Sequence, residues 1–137
     1  LMAMGRPREA ERAARKAATL FERIGDPIGA GQSRRALGEA IARDPARWAE
    51  AERALTAAQA IFRDQGYEWG LALAELSLGE VEVRRGAATA VERLRRSLAY
   101  WTEMGVPALQ ARSLAALAEA ADDHSDEPVK PNGPEVA

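Results

Sequence analysis

The chain has 137 residues, 47% hydrophobic, 29% charged and only 5% aromatic, with a net charge of −2 and no cysteine. Interspersed acids and bases exclude the one-signed field of a direct nucleic-acid or anionic-membrane binder, and the absence of thiols excludes a disulfide framework, a thiolate metal site and a cysteine nucleophile. Every apolar run breaks well before the roughly 18 residues of a membrane span, and Leu1-Met2-Ala3-Met4 is too short for a signal peptide, so a cytoplasmic chain is expected. Alanine is the commonest residue and aromatics are scarce, so the core must come from helices that approach closely, which points to an all-α fold. Every basic residue except Lys16 and Lys130 is Arg, a bias that with the alanine content suggests a bacterial source of high GC content.

Six helices are predicted, over residues 7–23, 28–43, 46–64, 68–84, 88–103 and 108–121, from apolar and small residues at three- and four-residue steps. The first carries Ala10, Ala14, Ala17 and Phe21 on one face. Gly25 then suits a left-handed helix end, Asp26 a cap, and Pro27 the first helical position, where its missing N–H costs nothing. Gly29-Ala30-Gly31-Gln32-Ser33 superficially suggests a phosphate cradle, but no strand precedes it and no Gly-Lys-Ser/Thr follows, so small residues there serve helix contact. Asp44-Pro45 repeats the cap before the third helix.

Gly66-Tyr67-Glu68-Trp69-Gly70 could be a ligand loop or a corner; its form matches residues 25–29 and 105–109, which favours the corner. The fourth helix, with Trp69, Leu71, Leu73, Leu76, Leu78, Val81 and Val83, is apolar around most of its circumference, as a central member of a stack should be. Gly105-Val106-Pro107 makes the last corner with a poorer capping residue. Residues 1–121 thus form one helical domain, and the polar "DDHSDEPVKPNGPEVA" at 122–137 reads as a flexible acidic, proline-rich tail.

The helices repeat. "FERIGDPIGAGQSRRALGEA" (21–40), "FRDQGYEWGLALAELSLGEV" (62–81) and "WTEMGVPALQARSLAALAEA" (101–120) superpose without gaps, so that Phe21, Phe62 and Trp101 align, 41 and 39 residues apart. Leu37, Leu78 and Leu117 align, as do Glu39, Glu80 and Glu119. A period near 40 is a helical-hairpin length. The first helix matches the second helix of the later hairpins, so either further repeats precede Leu1 or that face meets another chain, which includes a homodimer through the first helix.

The Leu-Gly-Glu elements at 37–39 and 78–80, the Ala/Leu/Ala/Phe face of the second helices and the Gly-Asp-Pro-x-Gly corner resemble tetratricopeptide-repeat-like domains, of the roughly 40-residue kind found in bacterial multidomain signalling and transcriptional regulators. The third unit departs from the pattern at Ala118, where the others carry Gly38 and Gly79. The resemblance implies an α-solenoid of antiparallel hairpins with a partner-binding strip on its first helices: Gln32, Arg35, Glu39 and Arg43; Leu73, Leu76, Glu80 and Arg84; and Arg112, Ala115 and Glu119. It also implies a protein or peptide partner, which could be another domain of the parent protein.

No catalytic set is evident. His124 is the only histidine and falls in the tail; the stretch from Asp122 to Glu127 could at most attract a cation loosely. Glu39, Glu80 and Glu119 on neighbouring helices about 10 Å apart are too separated to share a proton. No catalytic residue, metal ligand or cofactor site is therefore predicted. The expected function is a non-catalytic protein-interaction scaffold in a bacterial signalling or transcriptional regulator. The alternatives are a small-effector sensor, with Tyr67 and Trp69 as the pocket rim, and a self-association module.

Overall fold

The computed structural model describes residues 2–125, with side chains from 8 to 122. Among these the fold is all-α: α1 (Met2–Ile24), α2 (Pro27–Ile41), a short 3₁₀ turn (Pro45–Arg47), α3 (Trp48–Asp64), α4 (Glu68–Arg84), α5 (Ala90–Met104) and α6 (Pro107–Ser125). No described helix is long and apolar enough to cross a membrane. Consecutive helices pack on one another, and α4 also touches α2 and α6.

The breaks between helices have local causes. Gly25, Gly66, Gly86 and Gly105 each take positive φ, and the residue after each donates back five positions: Asp26 to Phe21 O at 2.9 Å, Tyr67 to Phe62 O at 2.9 Å, Ala87 to Glu82 O at 2.9 Å and Val106 to Trp101 O at 3.0 Å. A left-handed residue at that point satisfies helix-end carbonyls that would otherwise be unpaired. Asp26 Oδ1 accepts from Gly29 N at 2.9 Å and so caps α2, as its sequence suggests. The segment from Gly66 to Gly70 is therefore a corner.

Several boundaries differ from the sequence expectation; α2 ends at Ile41 and α5 starts at Ala90, two residues inside the expected limits. Asp44 caps the 3₁₀ turn through Ala46 N at 3.0 Å, and α3 starts only at Trp48, whose indole Nε1 donates to Ala42 O at 2.9 Å. Helix α1 begins at Met2, ahead of residue 7. Helix α6 continues past 121 to Ser125, because neither glycine nor proline interrupts the alanine-rich run before Pro128. The tail expectation for 126–137 and the His124 side chain lie outside the described residues.

The core is thin and continuous. Leu55 and Phe62 of α3, Leu76 of α4, and Leu94 and Trp101 of α5 are all 0% exposed. Its closeness depends on Gly38 and Gly79: a Cβ at Gly38 would stand 2.6 Å from Leu55 Cγ, and one at Gly79 would stand 2.7 Å from Leu94 Cδ2. Each Leu-Gly-Glu element thus does three jobs on one helical turn. Leu37 and Leu78 enter the core, the glycines admit a leucine from the following helix, and Glu39 and Glu80 stay partly exposed beside it.

Candidate functional site

Above this core, α2, α4 and α6 line a groove of about 360 Å³. Its floor is apolar, from Ala36, Ala40, Leu55 and Val81; its walls carry Glu39 from α2, Ser77 and Glu80 from α4, and Arg112 from α6. The small floor residues let three helices come near enough for a single long side chain to span them. Arg112 does so: its guanidinium donates to Glu80 at 2.7 and 2.9 Å and to Glu39 Oε2 at 3.1 Å. Ser77 Oγ donates to the same Glu39 oxygen at 2.6 Å, and Arg35 Nη1 lies 3.1 Å from it.

The electrostatics follow from these contacts. Burial pushes the Glu39 carboxyl upward, but the Ser77 hydrogen bond and the Arg35 and Arg112 guanidiniums outweigh it, and the net shift is down. The Glu80 hydrogen bonds, against the desolvation of a half-buried group, hold Arg112 charged more firmly than an ordinary arginine. Two carboxylates face two guanidiniums and cancel. Arg43 and Arg84, one at the end of α2 and one at the end of α4, also line the groove, are exposed, and form no ion pair with any described residue. The groove therefore has a neutral, self-paired middle and two uncompensated positive charges at one end.

Most of the partner-binding strip expected from the sequence lies here: Glu39, Arg43, Glu80, Arg84 and Arg112 line the groove, and Arg35 braces Glu39. Leu76 corrects that expectation, because it is fully buried in a cluster with Val83, Ala90, Leu94, Ala116 and Ala120 and is not available to a partner. Leu73 is half-buried and does not line the groove. Gln32 is exposed but borders a separate hollow against α1, and Ala115 and Glu119 are exposed on α6 outside the groove.

Sequence spacing put Glu39 and Glu80 apart, whereas Arg112 joins them; Ser77, the fourth member, carries no signal in the sequence beyond its position two residues before Gly79. Tyr67 and Trp69 do not border this groove. Tyr67 stands edge-on to Phe62 with ring centroids 5.6 Å apart, and Trp69 edge-on to Trp101 at 4.9 Å and to Tyr100 at 6.5 Å, so both rings pack helix corners.

The described residues hold no cluster of three or more His, Asp or Glu side chains suited to a metal ion. What the groove offers chemically is a set of fixed charges and hydrogen-bond donors over an apolar floor. In comparisons with protein-family models, curated proteins and solved structures, nothing matches this chain.

Proposed function

We propose that this chain is a non-catalytic interaction module, a tetratricopeptide-like array of helical hairpins whose groove holds an extended acidic segment of a partner protein or of another domain of its parent. The observation that carries this is the pair Arg43 and Arg84, positioned without counter-ions beside an apolar floor. Fixed guanidiniums at such a place recognise carboxylates through charge-assisted hydrogen bonds, while the exposed Ala36 of the apolar floor can receive an alternating apolar side chain.

The array reading draws support from equivalent contacts one repeat apart. Leu55 seats on Gly38 as Leu94 seats on Gly79, and the bond from residue 67 to 62 recurs from 26 to 21 and from 106 to 101. In such an array the paired centre of Glu39, Glu80 and Arg112 serves to hold α2, α4 and α6 in register, and the free arginines serve the partner. A bacterial cytoplasmic signalling or transcriptional regulator is the setting that fits a module without a reaction centre.

Fluorescence anisotropy with labelled peptides that alternate Glu or Asp with Leu tests the proposal. Saturable binding that weakens about tenfold or more with either Arg43→Glu or Arg84→Glu, and that falls as salt rises, is the expected result. Binding equally strong to Lys/Leu peptides, or unchanged in both variants, would overturn it.

A further inference from the structure

The two free arginines of the groove lie at the end of the molecule from which the chain continues past α6. Arg84 closes α4, and the corners at Gly86 and Gly105 reverse the chain twice before α6, so α6 runs parallel to α4 and packs on it. Its last residue, Ser125, therefore stands on the side where Arg43 and Arg84 end their helices. The segment that follows, "DEPVKPNGPEVA" at 126–137, lies outside the described residues; its sequence sets Asp126, Glu127 and Glu135 against a single base, Lys130. Pro128, Pro131 and Pro134 recur at every third residue, the repeat of an extended polyproline-type segment.

We infer that residues 126–137 are the groove's resident occupant: they fold back from α6 across its open side, set Glu127 on Arg84 and Glu135 on Arg43, and must be displaced by an acidic partner. The inference rests on the reading of the groove as a site for acidic segments and adds what controls access to it. The reach is sufficient. Neighbouring helices stand about 10 Å apart, so Arg84 is one spacing and Arg43 at most two from α6. An extended segment advances about 3 Å per residue, so Glu127 and Glu135 reach these guanidiniums with length to spare. The charges match as well. Two carboxylates meet the two arginines that have no counter-ion, and between them Lys130 passes a self-paired centre that carries no net charge to repel it. Exposed ion pairs of this kind would not hold a free peptide, but attachment through one or two residues raises the segment's effective concentration to about the millimolar range, and the prolines lower the entropy lost on docking. A partner that adds an apolar contact on Ala36 can still displace it.

Two measurements on the full chain test it. The chain has no cysteine, so Val136→Cys gives a single site for a nitroxide spin label. In a dilute sample the amide signals around residues 43 and 84 should lose roughly half their intensity or more, and should recover at high salt and in Arg84→Glu. They should stay intact when untagged isotope-labelled chain is mixed with tagged unlabelled chain, because the contact lies within one copy. Joint neutralisation by Asp126→Asn, Glu127→Gln and Glu135→Gln should tighten binding of the fluorescent Glu/Leu peptide about tenfold, and a free peptide of residues 126–137 should compete for the site thus opened. Undisturbed signals at 43 and 84, a loss that appears in the mixed sample, or a peptide that binds the wild-type and neutralised chains equally would each overturn the inference. Signal loss at 43 and 84 together with no peptide bound by the neutralised chain would support the intramolecular contact and overturn the acidic-partner reading alone.

Discussion

Phe21 and Phe62 have the same chemistry and hold matching positions in related segments, yet Phe62 is wholly buried while Phe21 is only half-covered. Helix α3 lies between α2 and α4, whereas α1 packs mainly on α2 and reaches α3 through the cluster around Ala14 and Ala51 and the pair Arg15–Glu50. The difference shows that a residue's burial in a stack is set by how many neighbours its helix has and not by the residue itself. It also separates side chains that hold the fold from side chains left exposed, as at Leu20.

The sharpest way to break this comparison is truncation on both helices. Phe62→Ala should lower the unfolding free energy by about 3–5 kcal/mol, since it removes a fully packed ring and leaves a cavity, whereas Phe21→Ala should cost roughly 1–2 kcal/mol because part of its surface is already in water. Urea unfolding of both variants decides it; equal losses would mean that α1 is as enclosed as α3.

A second contrast sets the bridge in the groove against the ion network of Glu11, Arg47, Glu50 and Arg15 at the rim. Arg112→Ala should cost about 1–3 kcal/mol, because Glu39 and Glu80 lose their shared donor in a partly desolvated place. Arg47→Ala removes bonds of 2.7 and 2.8 Å to Glu11, but Arg15 still pairs with both Glu11 and Glu50, and the loss should be smaller. Chemical denaturation at low and high salt would also show the rim variant losing its effect first.

Helix α6 contains its own contrast with α4. Ser113 is fully buried with an Oγ that has no hydrogen-bond partner, while the corresponding position on α4 is Ala74. Ser113→Ala removes an unsatisfied hydroxyl and should stabilise the chain by about 1 kcal/mol, which a shift in the urea midpoint would register.

The smallest effect expected is in mild acid. Hydrogen bonds from Arg47 and Arg15 hold Glu11 down at about 2, from an ordinary 4.5, and Glu39 is also lowered. Groups depressed in the folded state contribute stability that is complete above their unfolded value and fades as pH falls through the folded one. Unfolding free energy should thus stay level above about pH 5 and decline between about 4.5 and 2. A decline that set in above pH 6 would mean that other groups control it.

Much of the architecture was legible because it is written locally. The corners announce themselves through Gly25, Gly66 and Gly105 and through the Asp26-Pro27 cap, whose physics involves only adjacent residues. Five residues of the groove, Glu39, Arg43, Glu80, Arg84 and Arg112, were placed on one strip by the tetratricopeptide-like resemblance, counted from the Leu-Gly pairs. Leu76 was misplaced because α4 is apolar around most of its circumference, so three- and four-residue spacing cannot tell its groove side from its core side. Tyr67 and Trp69 resembled a rim because aromatics at a helix start look alike whether they cover a ligand or another ring.

Sequence by itself determined the helices, their ends and the approximately 40-residue period, since hydrogen bonding within a helix, capping and left-handed glycines depend on neighbours a few positions away. Only the tertiary structure decided that Arg112 reaches across 73 residues to Glu39, that the centre of the groove is self-neutralised, and that Arg43 and Arg84 are left over. Those outcomes depend on the distance between helices, which Gly38 and Gly79 set through packing that no local pattern states.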